Sequence, residues 1–197
     1  MEQKSNEWFE ERFGKFTASE FYKLMSGGKR KMTPEELILE KLNKGKRTTV
    51  DILFGDVGMG YINKKIDEII SSHDMDNGDF AGNKATEWGE YWEPVAREAF
   101  EEKTGMKVDQ VGFILIDEFF GGSPDGVIKD EAIIEIKCPY STANHTENLF
   151  LIDEVDFREK HEDYYIQMQV NMIAANVEKG FFVSYDPRKL QKSLKLK

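Results

Sequence analysis

The sequence of 197 residues is poor in cysteine, in histidine and in long hydrophobic runs. Cys138 is the only cysteine, which excludes an internal disulfide and suits a reducing compartment. The three histidines, His73, His145 and His161, lack the spacing of metal ligands. No apolar run approaches the roughly 18 residues of a membrane span, and residues 1–7 do not resemble a signal peptide. We therefore expect a cytoplasmic protein without a membrane segment.

Acidic residues outnumber basic ones, and the formal net charge of −10 by itself disfavours a nucleic-acid partner. The distribution is uneven. Residues 1–50 carry 11 basic and 8 acidic residues, residues 51–187 carry 11 and 29, and residues 188–197 carry five basic residues and no acid. Because salt screens electrostatic interactions beyond roughly 8–10 Å, the basic ends can still attract DNA locally. The charge therefore does not decide the partner.

The composition and the apolar periodicity indicate one mixed α/β domain spanning residues 1–197. Hydrophobic residues make up 40% of the chain, which is enough for a single core. The pattern predicts helices at residues 8–12, 17–25, 34–44, 61–72, 85–104 and 161–176. It predicts strands at residues 111–116, 126–128, 132–137 and 181–185, with Gly105 ending the longest helix. We expect these strands to form one central sheet.

Four segments in the first half of the chain have distinctive local patterns. Residues 26–31 are predicted to form a flexible basic loop, and residues 73–82 a polar loop. Thr33 is a predicted N-cap, followed by a proline and by a capping-box glutamate. The inward-facing residues of the helix that it starts should be Leu37, Ile38 and Leu42. Residues 55–60 lack the spacing of a dinucleotide-binding motif, and a loop at a DNA edge is the alternative.

Two acids and a lysine form the most informative pattern. Asp125 lies in a turn bounded by Pro124 and Gly126, and Glu135 interrupts an apolar run. In a strand, Glu135 and Lys137 lie on the same face. Two carboxylates beside an ammonium favour a bound cation, and hard oxygen ligands suit Mg²⁺ or Mn²⁺. The alternative is an ordinary turn aspartate and an edge strand whose charged residues face water.

The segment from Pro124 to Lys137 resembles the PD-(D/E)XK nuclease superfamily. More narrowly, the chain resembles the phage lambda exonuclease group, the YqaJ-type viral recombinases. Further similar segments are residues 8–19 (WFEERFGKFTAS), 88–93 (WGEYWE), 164–169 (YYIQMQ) and 185–188 (YDPR). The resemblance implies a restriction-endonuclease-like core with flanking helices.

The resemblance also implies a metal-dependent catalytic site. The metal ligands for one or two Mg²⁺, with Mn²⁺ as an alternative, would be Asp125, Glu135, the backbone carbonyl of Ile136, and Glu93. Lys137 would orient or help to deprotonate the attacking water, and Gln167 would position that water or a metal ligand. The alternatives are that Glu93 is a solvated helix acid and that Gln167 and Gln169 form an exposed polar face.

Four further residues match DNA-binding positions of the family. Arg12, Ser19 and Ser123 would grip a 5′-phosphate, because guanidinium and hydroxyl groups donate to phosphate oxygens. Arg30, in the basic segment, would contact the DNA backbone or minor groove. The alternatives are that Arg12 forms a surface pair, that Ser19 caps a helix, and that the basic segment is simply solvated.

The implied function is metal-dependent 5′→3′ exonuclease activity on linear double-stranded DNA. It would release 5′-mononucleotides and leave 3′ single strands for phage-type recombination in a bacterial host. The implied partners are DNA ends, a single-strand annealing protein and two further copies of the chain in a ring-shaped trimer. The sequence stops soon after the 185–188 segment, where the family continues, and this leaves the trimer contacts open. The alternatives are a structure-specific or restriction-type endonuclease and a non-catalytic scaffold that binds DNA ends.

Overall fold

The computed structural model describes residues 3–71 and 84–189, together with the backbone of one further strand at 192–196. Its helices are α1 (Asn6–Arg12), α2 (Tyr22–Met25), α3 (Pro34–Leu42), α4 (Asp56–Ser71), α5 (Lys84–Thr104), α6 (Thr142–Leu149), α7 (Glu154–Lys160) and α8 (Glu162–Ala175), with a 3₁₀ turn at Ala18–Glu20. Its strands are β1 (Phe16–Thr17), β2 (Gly28–Lys31), β3 (Thr49–Ile52), β4 (Ile114–Leu115), β5 (Phe120–Gly122), β6 (Gly126–Ile128), β7 (Ala132–Lys137), β8 (Gly180–Ser184) and β9 (Lys192–Leu196). The predicted polar loop at 73–82 lies outside the described residues. Among the described helices, none is long and apolar enough to cross a membrane.

The sheet that carries the core has the strand order β6-β7-β8-β9. β7 runs antiparallel to β6 and parallel to β8, and the chain between β7 and β8 forms the crossover helices α6 to α8. Ile134 and Ile136 pack in one cluster with Phe100 of α5, whereas Ile133 packs in another with Met168 of α8. Helices therefore cover both faces, which explains why the strand reads as a continuous apolar run.

The prediction of one central sheet is wrong, because the described residues form three separate sheets. β1 pairs in parallel with β5, and β5 pairs antiparallel with β4. The strand predicted at residues 111–116 is reduced to Ile114–Leu115, apart from an isolated bridge between Asp109 and Val127. β1 and β5 were missed because two- and three-residue strands, one of them glycine-rich, carry no periodic signal.

The first half of the chain contains the other corrections. Residues 26–31 are no loop, since Gly28–Lys31 form a strand paired with Thr49–Ile52. Residues 17–25 form a strand end, a 3₁₀ turn and the short α2 rather than one helix. The glycines of residues 55–60 lie mostly in the first turns of α4, so the predicted loop at a DNA edge is also wrong.

The helix α3 confirms the predicted cap and contradicts the predicted packing. The Thr33 hydroxyl accepts a hydrogen bond from the amide of Glu36 at 3.3 Å, and the carboxylate of Glu36 accepts from the amide of Thr33 at 2.8 Å. Ile38 and Leu42, predicted to face inward, are 59% and 73% exposed. Leu37 is only partly buried, so this helix adds little to the described core.

The helices α5 and α8 each end at a residue with a positive φ angle. Gly105 has φ +71° and its amide donates to the carbonyl of Glu101, which confirms it as the stop of α5. Asn176 ends α8 in the left-handed conformation that asparagine tolerates.

Candidate active site

Asp125, Glu135 and Lys137 come together where β6 and β7 run side by side. Asp125 Oδ2 accepts a hydrogen bond from the amide of Ile136 at 2.6 Å. Glu135 has no exposed surface, and its Oε1 lies 2.7 Å from Lys137 Nζ. Because β7 is an interior strand and Glu135 is buried, the alternative of an edge strand facing water is wrong.

The helix α8 brings polar side chains against this group. Gln167 Oε1 lies 3.5 Å from Lys137 Nζ, and the Tyr164 ring centroid lies 4.7 Å from the same nitrogen. Asn171 is fully buried, and its Nδ2 donates to Glu135 Oε2 at 3.2 Å. Asn171 was not predicted from the sequence. The available signal was its spacing of four from Gln167, which places both on one helix face.

The helix α5 contributes an acid, Glu93, and a second residue that was not predicted from the sequence, Arg97. Glu93 Oε1 lies 2.6 Å from an Nη of Arg97, one helical turn away. The same nitrogen donates to the backbone carbonyl of Asp125 at 3.1 Å, so Arg97 ties α5 to the acidic turn. Glu93 lines the same cleft as Asp125 and Glu135, so the alternative of a solvated helix acid is wrong.

Burial raises the pKa values of the three carboxyl groups in this cleft. Burial, assisted by the negative charge of Asp125, raises the pKa of Glu135 to about 7. The pKa values of Asp125 and Glu93 are also raised, chiefly by burial. Burial would lower the pKa of Lys137, but the attraction of Glu135 and Asp125 outweighs it and the net shift is upward. The lysine is therefore a stable cation among acids that repel one another.

The donor set suits a hard cation, although the side chains now face protein donors. Within the described residues, no three His, Cys, Asp or Glu side chains converge as they stand on a point that could hold a metal ion. The reason is visible in the hydrogen bonds, since Ile136, Arg97 and Lys137 each occupy a carboxylate oxygen. The pKa values of the three carboxyl groups are raised chiefly by burial, so these donors do not fully offset the cost of burying a negative charge. Carboxylates of this kind fit Mg²⁺ or Mn²⁺ once they turn from those donors.

These groups lie in a cleft of about 680 Å³. Its acidic end is formed by Glu93, Asp125, Glu135, Lys137 and Gln167, and its other wall by Tyr140, Ser141, Asn144, Glu147 and Asn148. Gln167 lines this cleft and is partly buried, as is Gln169, which excludes a fully exposed polar face.

Cys138 also lines the cleft but lacks the properties of a nucleophile. It is a buried free thiol. Burial, with the nearby charge of Glu93 as the next cause, raises its pKa to about 12. Since the thiolate is the reactive form, we interpret this cysteine as a packing residue.

Trp8 connects two of the predicted phosphate-binding residues. The guanidinium carbon of Arg12 lies 3.9 Å from the Trp8 ring centroid, and Trp8 Nε1 donates to Ser123 Oγ at 3.0 Å. Ser123 is two residues before Asp125, so this group borders the acidic turn. We refer to Arg12, Trp8 and Ser123 as the tryptophan cluster.

Ser19 is aligned with Ser123 by the parallel pairing of β1 and β5. Thr17 pairs with Gly121, and each serine follows its paired residue by two positions. Ser19 Oγ lies 3.3 Å from Thr17 Oγ1. The register therefore directs both predicted serines toward the same end of this short sheet.

A buried group on α4 fixes the turn between α1 and β1, which the sequence did not predict. Lys65 and Glu68 form a buried ion pair at 3.0 Å. Glu68 Oε2 accepts from the amide of Gly14 at 3.2 Å, and the Tyr61 hydroxyl accepts from the amide of Thr17 at 3.1 Å. This group holds the backbone between the two N-terminal residues predicted to bind phosphate.

Arg30 lies apart from these residues, on strand β2. Its two Nη atoms each lie 2.7 Å from a carboxylate oxygen of Glu36, in a bidentate pair. It does not line the cleft. Its predicted contact with DNA stays a prediction.

Comparison with known proteins decides the family. The family profile described as the YqaJ-like viral recombinase domain matches residues 7–178. The chain belongs to the YqaJ-like viral recombinase domain family. This confirms the resemblance seen in the sequence motifs, and no curated protein sequence matches the chain.

Solved structures similar to this YqaJ-like domain include an alkaline exonuclease, LHK-Exo, from Laribacter hongkongensis. It superposes with a TM-score of 0.70 at 27% identity, over 98% of this chain and 81% of that one. LHK-Exo in complex with dAMP gives 0.72 at 26% identity, over 98% and 82%. A phage-related exonuclease from Haemophilus somnus 129PT gives 0.60 at 19% identity over 87% and 68%, and shows the fold alone. The mixed α/β fold class with a PD-(D/E)XK-like core is thereby confirmed.

Proposed function

We propose that this YqaJ-like domain is a metal-dependent exonuclease acting on the ends of linear double-stranded DNA. It degrades one strand 5′→3′, releases 5′-mononucleotides and leaves a 3′ single strand for recombination. The observation that carries the proposal is the ion pair between the buried Glu135 and the partly exposed Lys137, both on the interior strand β7 and next to Asp125. The similarity to an alkaline exonuclease supports the same reaction class.

The side chains of the cleft have different roles in hydrolysis. Mg²⁺ or Mn²⁺, one or two ions held by Asp125, Glu135, Glu93 and the carbonyl of Ile136, would stabilise the attacking and leaving oxygens. Lys137, kept protonated by its acidic neighbours, offsets the negative charge on the phosphate and orients the attacking water. Gln167, 3.5 Å from that ammonium, fixes the orientation of the same water.

The 5′ end of the strand is bound by the tryptophan cluster together with Ser19. Arg12 offers a planar fork to phosphate oxygens, and the serine hydroxyls donate the remaining hydrogen bonds. Arg30 leaves its pair with Glu36 to contact the DNA backbone or minor groove. Recognition of a terminal phosphate beside the acidic cleft explains attack one nucleotide from the end.

The assembly and setting follow from the family. The active form is a ring-shaped homotrimer that encloses the duplex, and the 3′ strand is delivered to a single-strand annealing protein. The protein works in the cytoplasm of a bacterial host that carries a phage or prophage. Exposed apolar residues on α3, among them Leu42, support burial of this helix in an assembly.

Digestion of end-labelled linear duplex tests the proposal. Mononucleotides should be released with Mg²⁺ and not with EDTA, and Lys137→Ala should reduce the rate by about 10²-fold or more. A duplex with a 5′-phosphate should be degraded much faster than one with a 5′-hydroxyl, and a closed circle should stay intact. Cleavage of the circle would indicate an endonuclease, and the absence of any metal-dependent release would indicate a scaffold. Equal rates for the 5′-phosphate and the 5′-hydroxyl duplex would show that the tryptophan cluster does not bind the terminal phosphate.

A further inference from the structure

The wall of the cleft beyond Pro139 differs from the acidic end in the residues that line it. It is lined by Tyr140, Ser141, Asn144, Glu147 and Asn148. Among the described lining residues, Lys137 is the only lysine or arginine, so none of the residues that form this wall carries a positive charge for a DNA backbone, and the neighbouring Arg188 is paired with Asp186. The wall does offer the ring of Tyr140, which is 51% exposed.

The Tyr140 ring packs on one side against Trp88, which Arg188 contacts in turn. It meets Trp88 edge-on, with centroids 5.7 Å apart and planes at 86°. The carbonyl of Tyr140 accepts from Arg188 at 3.1 Å, and the guanidinium of Arg188 lies 4.5 Å from the Trp88 ring centroid. Both carboxylate oxygens of the buried Asp186 accept from that guanidinium, at 2.7 and 2.9 Å. An aromatic ring that is fixed on one side and open on the other is preorganised to bind a flat partner.

We propose that Tyr140 is a stacking platform for a nucleobase of the strand in the cleft, on the 3′ side of the scissile phosphate. The proposal rests on the proposed nuclease function and deepens it, because it names how the site holds its substrate. The 5′-terminal phosphate is assigned to Arg12, Ser19 and Ser123, none of which lines this cleft. A strand that starts there and passes the carboxylates continues along Tyr140.

Stacking is the contact that suits both this wall and this reaction. Every base has an aromatic face, so stacking tolerates any sequence, as degradation of arbitrary DNA requires. It also needs no positive charge, which matters because Glu147 and Asp163 lie in the same lining. Ser141 and Asn144 add neutral donors beside the platform.

Binding of short single strands to the Lys137→Ala protein tests the platform without cleavage. The probes are 5′-phosphorylated oligothymidylates of twelve nucleotides with 2-aminopurine at one of the first four positions, in the presence of Mg²⁺. Fluorescence should be quenched at the second or third nucleotide. Adding Tyr140→Ala should remove this quenching and weaken binding roughly 5- to 100-fold, whereas Tyr140→Phe and Tyr140→Trp should preserve both. Tyr91→Ala is the matched control, because Tyr91 is 71% exposed on α5 and lies outside the lining.

An abasic nucleotide at the quenched position separates stacking from a general structural effect. It should weaken binding as much as Tyr140→Ala does, and the two changes together should be no worse than either alone. Tyr140→Ala should leave the slope of log affinity against log salt unchanged, because no ionic contact is lost.

Two outcomes overturn the platform. The first is that Tyr140→Ala and the abasic nucleotide weaken binding additively. The second is that only 2-aminopurine at the 5′-terminal position is quenched. The proposed function fails separately: if wild-type protein releases no nucleotides but the abasic site and Tyr140→Ala remain coupled, the chain binds strands without cutting them and the platform stands.

Discussion

At the scale of single residues, Glu135 combines full burial with three different kinds of neighbour. Lys137 and Asn171 donate to its two oxygens, while the charge of Asp125 opposes its ionisation. Burial favours the neutral carboxyl most strongly, and the balance between burial and these neighbours decides whether Glu135 is charged at neutral pH. Small changes around it should therefore be measurable as changes in metal affinity and in stability.

Asn171→Ala should weaken metal-dependent cleavage most strongly at neutral pH. The amide of Asn171 lowers the pKa of Glu135, so its loss should raise that pKa further. We expect the Mg²⁺ concentration for half-maximal cleavage to rise about tenfold at pH 7 and less at pH 9, where Glu135 is already ionised. Asn63→Ala, on the exposed face of α4, is the control. An identical shift at both pH values would give Asn171 a packing role only.

The metal-free protein should lose stability as the pH rises from 5 to 8. The folded-state pKa of Glu135, about 7, lies above its ordinary value of 4.5. Its contribution is therefore fully present below pH 4.5 and disappears as the pH rises through 7, at a cost of about 3 kcal/mol. Asp125 and Glu93 act in the same direction.

Urea unfolding in EDTA at pH 5 and pH 8 measures this loss. Glu135→Gln should remove most of the part of the pH-dependent stability loss that is due to Glu135. In the wild-type protein, Mg²⁺ should restore stability at pH 8, because it favours the charged carboxylates. The interpretation of Glu135 would be wrong if Glu135→Gln kept the full pH dependence.

At the scale of elements, β5 and α8 are close enough that a single methyl group should separate them. A Cβ on Gly122 would lie 2.3 Å from Asn171 Oδ1, whereas a Cβ on Gly60 would meet no atom within 4 Å. The approach of β5 to α8 therefore depends on this glycine.

Gly122→Ala and Gly60→Ala should have opposite effects on the free energy of unfolding. We expect Gly122→Ala to destabilise by about 1–3 kcal/mol and to slow cleavage, because Asn171 must move away from Glu135. Gly60→Ala, inside α4, should stabilise by about 0.5–1 kcal/mol. Urea unfolding of both variants checks this, and a neutral Gly122→Ala would show that Asn171 moves without cost.

The long elements could be predicted from the sequence because each carries its own signal. β7 has six consecutive residues between turn signals, and α5 has apolar residues at helical spacing up to Gly105. β1 could not be predicted, because its two residues become a strand only by pairing with a segment about 100 residues away. β5, which also pairs with the nearby β4, is too short and too rich in glycine to carry a periodic signal. The basic residues of β2 resemble a loop until their partner β3 is known.

The same distinction applies to the site. Asp125, Glu135 and Lys137 could be found because two charged residues interrupt an apolar run at a spacing of two. Arg97 and Asn171 act through hydrogen bonds to segments 28 and 36 residues away, and the helical spacing of Asn171 from Gln167 does not reveal that partner. The packing of α3 was mispredicted because an amphipathic pattern shows which face is apolar and not what covers it.

At the scale of the whole molecule, α3 exposes apolar side chains and the neighbouring strand β2 exposes basic ones. Ile38, Leu39 and Leu42 are all more than half exposed on a helix that buries none of its described residues. Exposed aliphatic groups of this kind are typical of surfaces that another molecule covers. The proposed trimer gives this helix a partner.

Light scattering should give a mass of about 68 kDa for the wild-type protein, three times the 22.8 kDa of one chain. Changing both Ile38 and Leu42 to glutamate should lower the mass, because burial of charged groups in an interface is costly. Lys41→Ala, on the same helix, should keep it. A wild-type mass of one chain would contradict the trimer, and an unchanged mass in the double variant would exclude α3 from the interface.

The protonated, enclosed state of Cys138 makes this protein convenient for bioconjugation. With a pKa of about 12, its sulfur is almost entirely thiol at pH 7, and maleimide reagents require thiolate. A cysteine introduced at an exposed position such as Tyr91 should therefore take up a fluorophore selectively, with the native thiol left in place. Single-molecule observation of strand degradation then needs one substitution rather than two.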